Sequence, residues 1–213
     1  MNTDALIRQL AAEARPVSRH AVGRRLALGI VIGGAITFGL IWFWLGIRPD
    51  LGPAMRGFPF WLKWGYTISL GICAMILVAA LARPDTVRLR WLWLVVVPFA
   101  SLAGMVIKEM AQAPSAEWLA MWLGHSWTHC PWFVLALAAP IFIGLLWSFR
   151  QFAPTRLRAA GAAAGLAAGA CSATLYGLNC AEVSALFVLT WYTLGILLSA
   201  AVGALVGPRL LRW

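Results

Sequence analysis

The reactive side chains of this chain concentrate in two short stretches. Cys130 opens a long apolar run and Cys180 follows the next one, with His125, His129 and Glu182 close by in sequence. If both runs are consecutive antiparallel helices joined by a short turn, the two thiols sit at one depth on neighbouring elements. Thiols so placed can form a disulfide in an oxidising compartment. The same two residues, with His129, His125 and Glu182, also offer donors to a soft or borderline metal ion. A third reading, two unpaired small apolar residues, stays open beside these. No CxxC pair occurs, and four cysteines in all are too few for a disulfide-rich scaffold. Cys73 and Cys171 fall inside apolar runs, where buried thiols are usually inert packing residues.

Other chemistries are poorly provided for. No phosphate-cradling glycine loop, nucleotide motif or Ser-His-Asp pattern is visible, so an enzyme is not expected. None of the seven acidic residues falls at the middle of an apolar run, where ion-coupled transporters usually place ionisable groups. Two alternatives remain on residue grounds. One is a membrane thiol oxidoreductase, which would need a second cysteine pair to relay electrons. The other is a permease for a small molecule or a metal. No resident cofactor is expected; a metal ion would enter only transiently, as a signal.

The elements that must hold these residues are transmembrane helices. The chain is 62% hydrophobic and 11% charged over 213 residues, with thirteen tryptophans. A soluble domain of that size cannot hide so much apolar surface, so lipid must solvate much of it. Six apolar runs cover approximately 26–47, 64–82, 91–107, 132–149, 159–178 and 185–206. Each approaches the roughly 20 residues that cross a bilayer as α-helix. Continuous apolar runs do not fit the alternation of a barrel strand. The expected fold is therefore all-α, a polytopic bundle of six transmembrane helices (26–213) behind a 25-residue N-terminal segment.

The net charge of +10 follows topology rather than nucleic acid, and no direct nucleic-acid contact is expected. Thirteen arginines precede the first run, lie in the 83–90 and 150–158 loops, or close the chain. Only Arg48, Arg56, Lys63 and Lys108 fall on the other side. By the positive-inside rule the arginine-rich side is cytoplasmic, so both termini are cytoplasmic in a bacterial inner (cytoplasmic) membrane. The first 25 residues lack the apolar core of a cleavable signal peptide. Pro49, Pro53, Gly57 and Pro59 mark the first outer loop as a non-helical turn region.

Three further segments carry a pattern. Leu6, Ile7, Leu10, Ala11 and Ala14 share one face of a short helix from about Thr3 to Ala14, capped by Thr3 or Asn2 and stopped by Pro16. Such a face lies on lipid or docks into a cytoplasmic partner. Trp118, Leu119, Trp122 and Leu123, with Trp127 behind them, predict an amphipathic helix in the outer interface. Gly161, Gly165 and Gly169 form a small-xxx-small ladder, repeated at Gly29/Gly33 and Gly203/Gly207. Such ladders bring helices close, within one bundle or in a homo-oligomer, the first being expected.

Several motifs together resemble a known family. They are Leu10-Ala11-Ala12-Glu13-Ala14-Arg15-Pro16-Val17, His129-Cys130-Pro131-Trp132, Arg150 through Ala153-Pro154, Tyr176-Gly177-Leu178-Asn179-Cys180-Ala181-Glu182, Trp191-Tyr192 and the closing Gly207-Pro208-Arg209-Leu210-Leu211-Arg212-Trp213. Their order and spacing resemble the membrane-bound anti-sigma factors called negative regulators of sigma F, over nearly the whole chain. The resemblance implies a protein that holds an extracytoplasmic-function sigma factor at the membrane and releases it under heavy-metal or oxidative stress. It implies that Cys130 and Cys180 correspond to the paired cysteines of that family and act as sensor. It also implies that the segment before the first span, with Leu6, Ile7, Leu10, Arg15, Pro16 and Val17, contacts the sigma factor. Asn179 and Ala181 stand where many relatives would carry His and Pro, which weakens a metal site more than a disulfide.

Overall fold

A computed structural model describes Thr3, Ala5, Ile7, Gln9, Ala12 and residues 21–82, 93–150 and 154–212. Among these residues six helices are long and apolar enough to cross a membrane: α1 (Gly23–Leu45), α2 (Phe58–Leu81), α3 (Trp93–Gln112), α4 (Cys130–Phe149), α5 (Leu157–Tyr176) and α6 (Ala185–Leu210). No strand occurs among the described residues. Val31, Trp44, Val97, Ile143 and Leu205 are each more than 60% exposed on the flanks of these helices. A water-soluble surface rarely carries so broad an apolar belt.

The bundle is built around α5. Its run of Ala and Gly leaves almost no side-chain bulk, so two-thirds of it is buried against α6, α2 and α4. α1 leans on α4, and α3 is the most peripheral helix, touching α2 and the start of α6. The glycine ladder sets the closest approach. A methyl group at Gly161 would run into the Gly203 backbone, one at Gly165 into Ser199, and one at Gly29 into Gly144. These are intramolecular contacts, as the small-residue spacing predicts.

Proline inside a helix leaves the carbonyl four residues earlier without its donor, Leu94 for Pro98 in α3 and Ala136 for Pro140 in α4, and hydroxyls bond other carbonyls nearby. Ser101 Oγ donates to the Pro98 carbonyl at 2.8 Å in α3. In α4, Thr37 Oγ1 from α1 donates to the Leu137 carbonyl at 2.9 Å, one turn before Pro140. Single π-type turns interrupt α1 at Ile41–Leu45 and α6 at Val188–Tyr192.

Several boundaries differ from those expected. Residues 49–59 are not a continuous turn region: Leu51–Ala54 is a helical turn, and α2 begins at Phe58 with Pro59 in its first turn. Proline is well tolerated there, because its missing N–H would have no intrahelical partner. α2 thus starts six residues before the expected Trp64, and Lys63 belongs to the helix rather than to a loop. α3 continues to Gln112, past the expected Ile107, and α6 runs to Leu210 rather than Val206. The tryptophan-rich helix is present but short, Trp118–Leu123.

Thr3, Ala5, Ile7, Gln9 and Ala12 are helical and exposed, Ile7 at 58%. Leu6, Leu10, Arg15, Pro16 and Val17 lie outside the described residues.

The bundle has two chemically distinct ends. At one, Ser148 Oγ of α4 donates to the Arg25 carbonyl at 3.0 Å, and Arg150 Nε donates to the Leu210 carbonyl at 3.2 Å. This basic end ties α1, α4 and α6 together. The opposite end of α4 and α5 carries the thiols.

Candidate functional site at the thiol end

Cys130 is the first residue of α4 and Cys180 lies in the link between α5 and α6. Both are buried, at 0% and 4% exposed, and both carry free thiols. The two thiols are neighbours, close enough to act on each other's ionisation. Cys180 is held by its backbone, whose N–H donates to the Tyr176 carbonyl at 3.0 Å as α5 ends. Asn179 anchors the same turn by donating to the Leu45 and Gly46 carbonyls, satisfying the frayed end of α1.

Two cations converge on the Cys180 carbonyl. Lys63 Nζ donates to it at 2.9 Å and to the Glu182 carbonyl at 3.0 Å. Arg48 Nη1 reaches the same oxygen at 3.4 Å. Arg48 is also clasped in a bidentate pair with Asp50, at 2.7 and 2.6 Å. That pairing raises the Arg48 pKa and lowers that of Asp50.

The aromatic wall comes from α5 and α6. Tyr176 and Tyr192 pack at 5.9 Å, and the Tyr192 ring faces Lys63 Nζ at 5.5 Å. The Tyr192 hydroxyl lies beside Cys180 and is buried without completing a hydrogen bond. Cys180 itself is pushed down to about 6. The neighbouring Cys130 thiol is the main cause, aided by Lys63, the Tyr192 hydroxyl and a backbone N–H, against the opposing effect of burial.

The remaining candidates sit differently. Glu182 Oε1 accepts hydrogen bonds from the N–H groups of His125 at 2.7 Å and Ser126 at 3.1 Å, and from Ser126 Oγ at 3.1 Å. Its carboxylate therefore staples the 124–126 turn over the site, and Ser126 Oγ stands 4.0 Å from Cys180 Sγ. The His125 ring is fully exposed, 3.9 Å from the carboxylate. The His129 ring is exposed too, bonded to Thr128 Oγ1 at 2.7 Å and stacked on Phe133. Among the described residues no three of His, Cys, Asp and Glu converge on one point. The site brings Cys130 and Cys180 together, with Glu182 adjacent and both imidazoles turned away. Two thiols alone leave a tetrahedral metal site half made.

A lid of tryptophans closes the outside. Trp191 Nε1 donates to the Trp122 carbonyl at 2.7 Å, and Trp122 and Trp127 both pack on the Trp191 ring. Glu109 of α3 accepts from the Leu186 N–H at 3.2 Å and so caps the start of α6.

Sequence reasoning put Lys63 and Arg48 on the side away from the arginine-rich loops but missed their contacts with Cys180, as it missed those of Tyr192 and the capping role of Glu109. The signal available for Lys63 was Pro59, which marks a helix start as readily as a turn and places Lys63 one turn inside.

No solved structure matches the chain. The family model described as "Negative regulator of sigma F" matches residues 10–213. The "Anti-sigma-F factor NrsF" of Caulobacter vibrioides is 40% identical over 214 residues, covering all of both chains. The "Probable anti-sigma-F factor NrsF" of Azospira oryzae is 37% identical with the same full coverage. The thiol pair, the 176–182 turn and the six helices thus stand in a chain whose likeness to these relatives runs end to end, and this chain belongs to the negative regulator of sigma F family.

Proposed function

We propose that the chain is a six-span protein of the bacterial inner membrane, both termini cytoplasmic, that acts as an anti-sigma factor. It sequesters an extracytoplasmic-function sigma factor through residues 1–25 and releases it when Cys130 and Cys180 react with oxidants or heavy metals. The observation that carries the anti-sigma role is full-length kinship with relatives named anti-sigma-F factors. The basic end supports the orientation, because arginines gather on the cytoplasmic side.

Oxidation by a hydroperoxide balances with these residues alone. The Cys180 thiolate attacks the peroxide O–O bond, forming a sulfenic acid and expelling an alkoxide that takes up a proton. Cys130 sulfur then attacks Cys180 Sγ, and its proton leaves with the hydroxyl as water. The products are one disulfide, one alcohol and one water.

Drawing the sulfurs to bonding distance moves the start of α4 against the 176–182 turn. α4 is 20 residues long, about 30 Å, and at its far end Ser148 holds the Arg25 carbonyl at the root of the N-terminal segment. A shift at one end therefore biases the other, provided the sigma factor favours one of the two arrangements.

The test is capture of a purified extracytoplasmic-function sigma factor by detergent-solubilised protein, with and without residues 1–25. Retention by the full chain and loss on deletion support the reading. No capture by the reduced full chain removes it.

A further inference from the structure

Lys63 is 2% exposed and one turn inside α2. A buried ammonium is expensive unless its charge is matched. Among the described residues the ion pairs join Arg48 to Asp50 and His125 to Glu182, and neither reaches Lys63. The Glu182 carboxylate is turned to the 124–126 turn, so Lys63 meets only that residue's carbonyl. Beside it the Tyr192 hydroxyl is fully buried and faces the Cys180 sulfur without completing a hydrogen bond to any oxygen or nitrogen. Buried hydroxyls nearly always find a partner. The Cys130 thiol is a third potential donor neighbouring Cys180. Three donors without a facing carboxylate make surroundings complementary to an anion, and the Cys180 sulfur is the group they share.

We propose that Lys63 is the counter-ion of a Cys180 thiolate, and that it makes Cys180, not Cys130, the first thiol to react. The inference rests on reading the thiol pair as the reactive site. Lys63 is a positioning residue: it holds the 180–182 backbone by two hydrogen bonds and supplies the charge that the sulfur balances. The depressed titration of Cys180 agrees with this geometry. Arg48 cannot serve in its place, because Asp50 already takes its charge at 2.6 Å.

Alkylation by iodoacetamide tests this directly, since a sulfur–carbon bond forms as iodide leaves and the rate follows the thiolate fraction. The full-length protein is alkylated across pH 5–9 and each cysteine is followed by mass spectrometry. The ionisable groups facing Cys180 are Lys63 and Arg48 from α2 and the loop before it, Cys130 from α4, Tyr176 from α5, Tyr192 from α6 and Glu182 on its own turn. Lys63→Gln keeps an N–H donor and removes the charge, whereas Lys63→Arg keeps both.

The expected result is a Cys180 midpoint near 6 in the native protein, with Cys130 slower throughout. Lys63→Gln should raise the Cys180 midpoint by about one pH unit, slowing alkylation at pH 6 about fivefold. Lys63→Arg should keep the native midpoint. If Lys63→Gln titrates like the native chain while Cys180 stays the faster thiol, the counter-ion role is overturned and the thiol-pair reading survives. If native Cys180 is no more reactive than Cys130 at any pH, both fall. Should Lys63→Gln fail to fold, Lys63→Met fills the same buried space without the charge. The midpoint must then rise as well, and an unchanged midpoint overturns the proposal.

Discussion

At the scale of single residues the thiol end assigns unequal roles to its two cysteines. Cys180 ionises near 6, below its ordinary 9.0, so lowering the pH protonates it and turns its reactivity off. Peroxide consumption by the reduced protein should therefore be flat above pH 7 and fall as the pH drops through 6. Cys130→Ser should leave Cys180 oxidisable but stop it at the sulfenic acid, which a dimedone probe captures. Cys180→Ser should give no adduct. Equal labelling of the two variants would contradict the division of labour. Glu182 makes a separate prediction, because it serves the 124–126 turn by accepting two backbone N–H bonds. Glu182→Ala should cost about 1–3 kcal/mol by thermal unfolding in detergent, and Glu182→Gln much less, since an amide oxygen still accepts.

At the scale of helices, stability rests on how closely α5 and α6 approach. Gly165 meets the Ser199 backbone with no room for a methyl group, so Gly165→Leu should destabilise the bundle by about 3 kcal/mol and lower its melting temperature in detergent. Gly104 in α3 faces open space, and Gly104→Ala should stay within about 1 kcal/mol of the native protein. The close approach at Gly165 was readable from spacing, because its ladder repeats every four residues; the open surroundings of Gly104 were not. Helix number and the closeness of Cys130 to Cys180 were likewise legible, since apolar length and antiparallel succession determine them. The contacts of Lys63, Arg48 and Tyr192 were not. Lys63 stands 117 positions from Cys180, and the proline before it reads equally as a turn or as the first turn of a helix. Nothing local in sequence says which of the four cations outside the arginine-rich segments will be buried. The exposed rings of His125 and His129 were equally hidden, because spacing brings a residue near a site without deciding where its side chain points.

At the scale of the whole molecule, the proposed switch needs its thiols and its partner segment on opposite sides of the membrane. A fluorescent protein fused after Trp213 should fluoresce in cells, and a periplasm-dependent phosphatase inserted after Ala113 should be active; the reverse pattern would invert the topology. Given that arrangement, the mechanical link is α4, which starts at Cys130 and ends where Ser148 grips the Arg25 carbonyl. The central claim is that the state of the thiol pair sets the grip on the sigma factor. The most direct measurement is the affinity of a purified extracytoplasmic-function sigma factor for the full-length protein in lipid nanodiscs, fully reduced and then peroxide-oxidised. The account predicts tight binding to the reduced form, weakened at least tenfold on oxidation, about 1.4 kcal/mol or more, and no such loss in Cys180→Ser. Equal affinity for reduced and oxidised protein would contradict it.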